Sequence, residues 1–223
     1  MKTSSKPNFK SEPIHIFFRV DGDDIIGLGH VMRCISIAEA FDPRSFKIVF
    51  LSASLSAWAV FHIENAGFDI ITLYHQDKKD LSIEEITDFA SSLNAKKIVV
   101  DLPFNLIPHK LNGFVDLVNG LNSRGMSVAI IDGLDDDSAS MQAKLLVKLI
   151  VIPYLNAEHR YIRNSSKTKL LTGAQYFPFP KNFTPFIGKN KIIKQSVKRI
   201  LICFGGGNVE NENAKLLRGL KGC

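Results

Sequence analysis

"IHIFFRVDGDDIIGLGHVMRCISIAEAF", residues 14–41, joins a strand pattern to a helix pattern through a loop rich in glycine and aspartate. Residues 14–20 are mostly β-branched or aromatic, which predicts a β-strand that ends at this loop. Apolar side chains at positions 31, 34, 35, 38 and 41 have the spacing of an amphipathic helix over residues 30–41, and Pro43 then stops it. Strand, glycine loop and helix in this order predict the opening unit of an α/β domain.

The same alternation of apolar strands and amphipathic helices continues as far as residue 176. Further strands are predicted at 46–52, 68–74, 96–102 and 126–134, near the end of 144–154, and in an edge element at 169–176. Further helices are predicted at 56–67, 82–93 and 111–125. Strands that are apolar on both faces are typical of a parallel sheet covered by helices. We therefore expect an α/β, Rossmann-like N-terminal domain over residues 14–176, with helices on both faces of its sheet.

The composition changes at residue 177, where a basic stretch with three prolines predicts a linker over 177–198. "RILICFGGGN" (199–208) then predicts a strand and a glycine loop, so residues 199–223 are expected to begin a second, nucleotide-binding domain that is truncated here. A lone β-α unit cannot bury its own apolar faces. We expect it to dock on the first domain, to meet a partner chain, or to stay poorly ordered.

Charge and composition exclude several classes of protein. The net charge is +6, but the lysines are dispersed and no nucleic-acid signature accompanies them, so we expect no nucleic-acid partner. No stretch approaches the roughly 18 apolar residues of a membrane span, and no apolar run follows the basic N-terminus. We therefore expect a cytoplasmic protein without a membrane partner. The three cysteines are far apart, which indicates neither a disulfide framework nor a zinc site.

The loop between the first strand and the first helix supplies the candidate catalytic group, His30. Ligands of open α/β sheets bind outside the carboxyl ends of the strands, where a helix N-terminus offers free N–H groups and a partial positive charge. That field lowers the pKa of a histidine and favours the neutral imidazole that a general base needs. The alternative is that Gly27 and Gly29 only form a tight turn, with His30 half exposed.

Other polar residues lie where the groups of an active site would collect. Arg33 is one helical turn after His30, so it either binds an anionic group or pairs with an acidic surface residue. Asp101 and Asp132 end consecutive predicted strands, as site residues or as acceptors for loop N–H groups. Asp21 either pairs with Arg19 or contacts a sugar. The acidic loop at 132–138 is expected to face water, so no metal is predicted.

The second glycine loop holds four more candidate residues: Gly205, Gly206, Gly207 and Asn208. Backbone N–H groups of such a loop bind a diphosphate in many proteins, and Asn208 would then contact the ligand or cap the next helix. Three glycines also suit a bare tight turn, so the loop alone does not decide between these alternatives.

The wider stretch "FRVDGDDIIGLGHVMRC" (18–34) resembles the N-terminal signature of the nucleotide-sugar hydrolase family of pseudaminic acid biosynthesis. That family carries the pattern R-x-D-x-x-x-x-I-G-x-G-H-x-x-R-C, which is matched here by Arg19, Asp21, Ile26, Gly27, Gly29, His30, Arg33 and Cys34. Looser similarity continues through the "VVD" and "IID" strand ends and the "NAEHRYI" and "KLLTGAQY" segments. The resemblance implies the N-terminal half of a GT-B-like architecture, in which two Rossmann-like domains face each other.

The resemblance also implies an activity. Such enzymes hydrolyse UDP-2,4-diacetamido-2,4,6-trideoxy-β-L-altropyranose to UDP and the free sugar, with inversion and C–O cleavage, and without a metal or cofactor. His30 matches the family's general base, and substrate binding is expected from Asp21, Gly27, Gly29, Arg33, Asp101 and the second glycine loop. The alternatives are a GT-B glycosyltransferase and an inactive truncated fragment. The expected partner is the UDP-sugar, and the further expectation is a homo-oligomer or a missing C-terminal domain.

Overall fold

The structure of the protein is a computed structural model that describes residues 12–72, 82–103, 110–131, 145–157, 168–190, 195–196, 198–203 and 210–220. Its strands are β1 Ile14–Val20, β2 Phe46–Ser52, β3 Asp69–Thr72, β4 Lys97–Asp101, β5 Ser127–Ile131, β6 Leu149–Ile152 and β7 Lys169–Thr172. Its α-helices are α1 Gly29–Ala38, α2 Ala57–Asn65, α3 Ile83–Ser92, α4 Lys110–Ser123 and α5 Glu210–Gly219. Short 3₁₀ helices cover Ala174–Tyr176 and Lys181–Phe186.

The seven strands form one sheet in the order β3-β2-β1-β4-β5-β6-β7, and each neighbouring pair is parallel. The chain runs outward from β1 to β3, then returns past β1 and continues in the opposite direction from β4 to β7. The strand order therefore reverses between β1 and β4. This arrangement confirms the predicted α/β, Rossmann-like class with a parallel sheet.

The side chains of β1 alternate between two apolar clusters, one on each face of the sheet. Phe17 belongs to a buried cluster with Ile86 of α3 and Val118 of α4. Phe18 belongs to a second buried cluster with Cys34 of α1 and Ile63 of α2. Because successive residues of a strand point to opposite faces, the apolar run of β1 needs helices on both sides to cover it. The hydrophobic burial of these two faces fixes where α1 lies relative to β1.

Most of the observed element boundaries lie within a few residues of the boundaries predicted from the sequence. The bounds of β2 agree with the predicted 46–52. A capping box opens α3, because Glu85 N donates to Ser82 Oγ at 3.1 Å and Ser82 N donates to Glu85 Oε2 at 2.7 Å. Helix α1 ends at Ala38, three residues earlier than predicted, and the N–H groups of residues 40 and 41 then close tight turns onto carbonyls three residues back.

The strand predicted at the start of residues 199–208, before the glycine loop, is wrong in the part that the structure describes. Residues 198–203 form no strand, and Leu201 is 91% exposed. An apolar run becomes a strand only where a neighbour supplies backbone partners, and no described strand lies beside this one. The helix expected after it is present as α5. The glycine loop itself, residues 204–209, lies outside the described residues.

None of the described helices combines the length and the apolar character that crossing a membrane would require. The longest of them, α4, has 14 residues and includes polar positions throughout.

The loop after β1 approaches α1 closely at Gly22. Gly22 N donates to Ser54 O at 2.9 Å and Ser56 N donates to Gly22 O at 2.8 Å, so the loop is hydrogen-bonded to the segment after β2. A Cβ atom added at Gly22 would lie 2.5 Å from Cγ2 of Val31, which is fully buried in α1. Only glycine lets the loop and the first turn of α1 meet at this distance.

We expect Gly22→Ala to lower the free energy of unfolding by about 1–3 kcal/mol, because the new methyl overlaps the fully buried Val31 side chain, which must then shift. Gly29→Ala is the matched control, since a Cβ there meets no atom within 4 Å. Urea unfolding followed by circular dichroism measures both variants. Equal midpoints for the two would contradict the packing described here.

Candidate functional site

The candidate site lies at the carboxyl ends of β1 and β4, where the strand order reverses. Val20 at the end of β1 pairs in register with Asp101 at the end of β4. Helix α1 begins at the same edge, and its N-cap residue Leu28 offers no side-chain hydrogen bond to the first turn. Free N–H groups of a first turn favour negative charge. The sheet thus brings a helix N-terminus and a strand-end carboxylate together at the place where open α/β sheets bind ligands.

His30 and Asp101 form the central contact of the site. Nδ1 of His30 lies 2.7 Å from Oδ1 of Asp101, although the two residues are 71 positions apart in the sequence. The His30 side chain is 22% exposed, whereas that of Asp101 is fully buried. The ring therefore reaches from a buried carboxylate to the surface of the site.

Arg33 holds both oxygens of the same carboxylate. Its Nε donates to Oδ2 of Asp101 at 2.7 Å, and its Nη2 donates to Oδ1 at 2.5 Å. Nη2 also lies 3.2 Å from Nδ1 of His30, which confirms that Arg33 shares a helix face with His30. Arg33 pairs with an acidic residue, as one of its two predicted roles required, but that residue is the buried Asp101 and not an acidic residue of the surface.

The charge state of Asp101 determines which nitrogen of His30 carries a proton. Burial alone would raise the pKa of Asp101, but hydrogen bonds from His30 and Arg33 and the charge of Arg33 hold this pKa below the ordinary aspartate value. The ionised carboxylate only accepts hydrogen bonds, so Nδ1 of His30 must be the donor in their contact. A neutral His30 then has an unprotonated Nε2, the atom that can take a proton from water.

Cys34 completes the surroundings of Asp101. Its Sγ lies 3.6 Å from Oδ2 of Asp101, within the range of a thiol hydrogen bond. Burial raises the pKa of the Cys34 thiol well above its ordinary value, and the charge of Asp101 adds to that effect. Cys34 is thus a neutral donor to the carboxylate and is unsuited to act as a nucleophile.

Asp21 and Arg19 form a second buried ion pair, which holds the loops of the site. Nη1 of Arg19 donates to Oδ1 of Asp21 at 2.6 Å, and the same oxygen accepts hydrogen bonds from Ser52 Oγ and from the backbone N–H groups of residues 53 and 54. Burial opposes ionisation of Asp21, but Arg19 and these hydrogen bonds lower its pKa. The pairing with Arg19 is the predicted alternative that the structure contains.

The glycine loop before α1 is closed by Asp23 and needs an unusual backbone at Gly27. Oδ1 of Asp23 accepts from the N–H groups of Ile25 and Ile26, at 2.9 and 2.8 Å. Gly27 has φ of 77°, a left-handed conformation that favours glycine, and its N–H donates to Asp23 O at 2.7 Å. Gly29 begins α1 and is exposed. Substrate contacts of these two glycines stay predictions.

One polar residue of the site is absent from the predicted set. The hydroxyl of Tyr154 accepts a hydrogen bond from Nη1 of Arg33 at 2.5 Å. Tyr154 follows β6 by two residues, so the rule that selected Asp101, a polar side chain beyond a strand's carboxyl end, was available for it too. The predicted residues Asp132 and Gly205 to Asn208 lie outside the described residues.

Within the described ranges, no group of three or more histidine, cysteine, aspartate and glutamate side chains is arranged to hold a metal ion. The contact of His30 with the Asp101 carboxylate equips the site for acid–base chemistry at His30.

Comparisons with known proteins do not assign this chain to a family. A scan of family models finds no match, and a search of curated proteins finds none either. Among solved structures, the chain is similar to an AraC family transcriptional regulator from Pseudomonas putida, at 16% identity and a TM-score of 0.32, over 71% of this chain and 76% of that one. It is also similar to the YdjI aldolase from Escherichia coli K12, at 12% identity and a TM-score of 0.27, over 68% of this chain and 59% of that one.

We expect Asp101→Asn to destabilise the protein at neutral pH by about 3 kcal/mol, because the buried Arg33 loses its countercharge. The folded-state pKa of Asp101 is lowered, so its ionised form contributes stability above the ordinary pKa of 3.8. That contribution disappears as the pH falls through the lowered folded-state pKa. The difference between wild type and variant should therefore shrink below about pH 4.

Urea unfolding at a series of pH values between 7 and 2.5 measures this difference. The exposed Asp24 is the control residue, and Asp24→Asn should leave the free energy of unfolding within about 0.5 kcal/mol of wild type throughout. A penalty for Asp101→Asn that stays constant from neutral to acid pH would show that ionised Asp101 does not stabilise the fold.

Proposed function

We propose that this chain belongs to an enzyme that hydrolyses a nucleotide-linked sugar, UDP-2,4-diacetamido-2,4,6-trideoxy-β-L-altropyranose, to UDP and the free sugar. The observation that carries the proposal is the contact of His30 Nδ1 with the buried Asp101 carboxylate at 2.7 Å. It leaves Nε2 of His30 as the basic atom at the carboxyl edge of the sheet. The sequence signature over residues 18–34 supplies the substrate class.

In the proposed reaction, Nε2 of His30 takes a proton from water while the water oxygen attacks the anomeric carbon. The bond from that carbon to the diphosphate oxygen breaks and its electron pair leaves with UDP. The configuration at the anomeric carbon is thereby inverted. Asp101 stabilises the imidazolium that forms, because its ionised carboxylate is fixed 2.7 Å from Nδ1. UDP is a good leaving group, so the reaction needs a base and a positive field more than a strong acid.

Diphosphate binding is proposed to depend on backbone N–H groups. Arg19 and Arg33 are both engaged by aspartates within the protein, which makes them poor candidates for direct phosphate ligands. The N-terminus of α1 at Gly29 offers free N–H groups beside His30, and the second glycine loop at 205–207 with Asn208 would supply more. We propose that Gly27, Gly29 and Asp21 shape the pocket for the sugar, and that the reaction takes place in the cytoplasm without a metal or cofactor.

We expect His30→Asn to lower the rate of UDP release by about 10²–10⁴-fold, because a positioned general base contributes that much to proton transfer. UDP released from the UDP-sugar, with no acceptor present, is the measured quantity. His15→Asn is the matched control, since His15 lies at the amino end of β1, away from the site, and its rate should equal that of wild type. An unchanged rate for His30→Asn would remove His30 as the base.

The same assay separates the alternatives. Release of UDP without an acceptor supports hydrolysis. Release only when an acceptor alcohol is added would identify a glycosyltransferase. Neither release nor binding of UDP would contradict both and leave a non-catalytic chain.

A further inference from the structure

Tyr154 connects a distant strand to the candidate site. It lies just beyond the carboxyl end of β6, which is separated from β1 by β4 and β5 in the sheet. Its ring is partly buried and packs against the apolar cluster that contains Phe17 and Ile152. Its hydroxyl accepts a hydrogen bond from Nη1 of Arg33 at 2.5 Å. A packed ring with its polar end at the site is a rigid support for another side chain.

The guanidinium of Arg33 has a partner within the protein at each of its three nitrogens. Nε and Nη2 hold the two oxygens of Asp101, and Nη1 donates to Tyr154. The Arg33 side chain is only 10% exposed. A guanidinium held in this way is a structural clamp, because it has little capacity left to bind a substrate anion.

The orientation of His30 depends on the plane of the Asp101 carboxylate. A bidentate arginine fixes that plane, because its two parallel N–H groups must both point at an oxygen. Oδ1 of Asp101 is thereby directed at Nδ1 of His30. If the guanidinium turned, the carboxylate could turn with it, and His30 would be free to place its proton on either nitrogen.

We propose that Tyr154 is a positioning residue, whose hydroxyl anchors the outer end of Arg33 so that Asp101 holds His30 as the Nδ1–H tautomer. Tyr154 acts through Arg33 and Asp101 and does not itself need to touch the substrate. The proposed effect of Tyr154 on the tautomer of His30 follows from the hydrogen bonds described above. Its effect on the rate of UDP release rests on the proposed function.

The tautomer of His30 is measured directly by ¹⁵N nuclear magnetic resonance of the imidazole ring, at a pH where the ring is neutral. In wild type we expect the Nδ1–H form to dominate. Tyr154→Phe keeps the packed ring but leaves an N–H group of Arg33 without an acceptor, which favours movement of the guanidinium. We expect the ratio of Nδ1–H to Nε2–H to fall about tenfold in this variant, the change that roughly 1.4 kcal/mol produces.

Two further variants show whether the effect belongs to the acceptor at position 154. Tyr154→Gln offers an amide oxygen to Arg33 and should keep the Nδ1–H form dominant. Tyr176→Phe removes a hydroxyl from an exposed tyrosine outside the site and should leave the tautomer unchanged. Thermal unfolding of all variants establishes whether they are folded. If Tyr154→Phe does not fold, the test passes to Tyr154→Gln, and loss of the Nδ1–H form in the folded Tyr154→Gln variant would overturn the proposal.

Two other results would overturn the proposed role of Tyr154. One is a wild-type protein without the Nδ1–H form, and the other is a folded Tyr154→Phe variant with the wild-type tautomer ratio. If UDP release is observed, Tyr154→Phe should lower kcat in proportion to the fraction of His30 that leaves the Nδ1–H form, with KM nearly unchanged, as expected for a residue that positions the base. If wild type releases no UDP, the proposed function fails while the tautomer measurement still decides the role of Tyr154.

Discussion

The buried carboxylate of Asp101 is the constraint on which the site depends. A charge with no exposed surface is costly unless hydrogen bonds and a countercharge offset its loss of water. Helix α1 supplies all of these from one face, because His30, Arg33 and Cys34 each reach the carboxylate. The end of β4 and the first turn of α1 must therefore lie together in the folded protein. The geometry that satisfies the buried charge is also the geometry that orients His30.

The second ion pair performs a related task for the loops. Asp21 accepts hydrogen bonds from Arg19 of β1, from the hydroxyl of Ser52 at the end of β2, and from the backbone N–H groups of residues 53 and 54. This holds the ends of β1 and β2 in register, beside the loop that Asp23 closes. Two aspartates that are both buried thus have separate roles. One fixes the walls of the site, and the other fixes the histidine within it.

Periodicity in the sequence was sufficient for the sheet and the helices, because alternation and amphipathic spacing are local properties. It also identified His30, Arg33 and Asp101 individually, through their positions at a helix start and a strand end. It could not show that they meet, since that depends on β1 lying beside β4. Tyr154 could have been selected in the same way, from its position just after β6, but its contact with Arg33, 121 positions away, could not. The strand expected from residue 199 failed because an apolar run does not specify a neighbour to pair with.

A histidine that donates through Nδ1 to a buried carboxylate has one nitrogen left for chemistry. Nearby positive charge would weaken that nitrogen as a base, yet in the proposed reaction the departing diphosphate would need positive charge in the same site. The described part of the chain separates these demands, because Arg33 is neutralised by Asp101 and Arg19 by Asp21. What remains beside His30 is the partial charge of a helix N-terminus, directed by the backbone rather than by a side chain. In the proposed reaction, such a site would leave most of the phosphate binding to groups other than these two arginines.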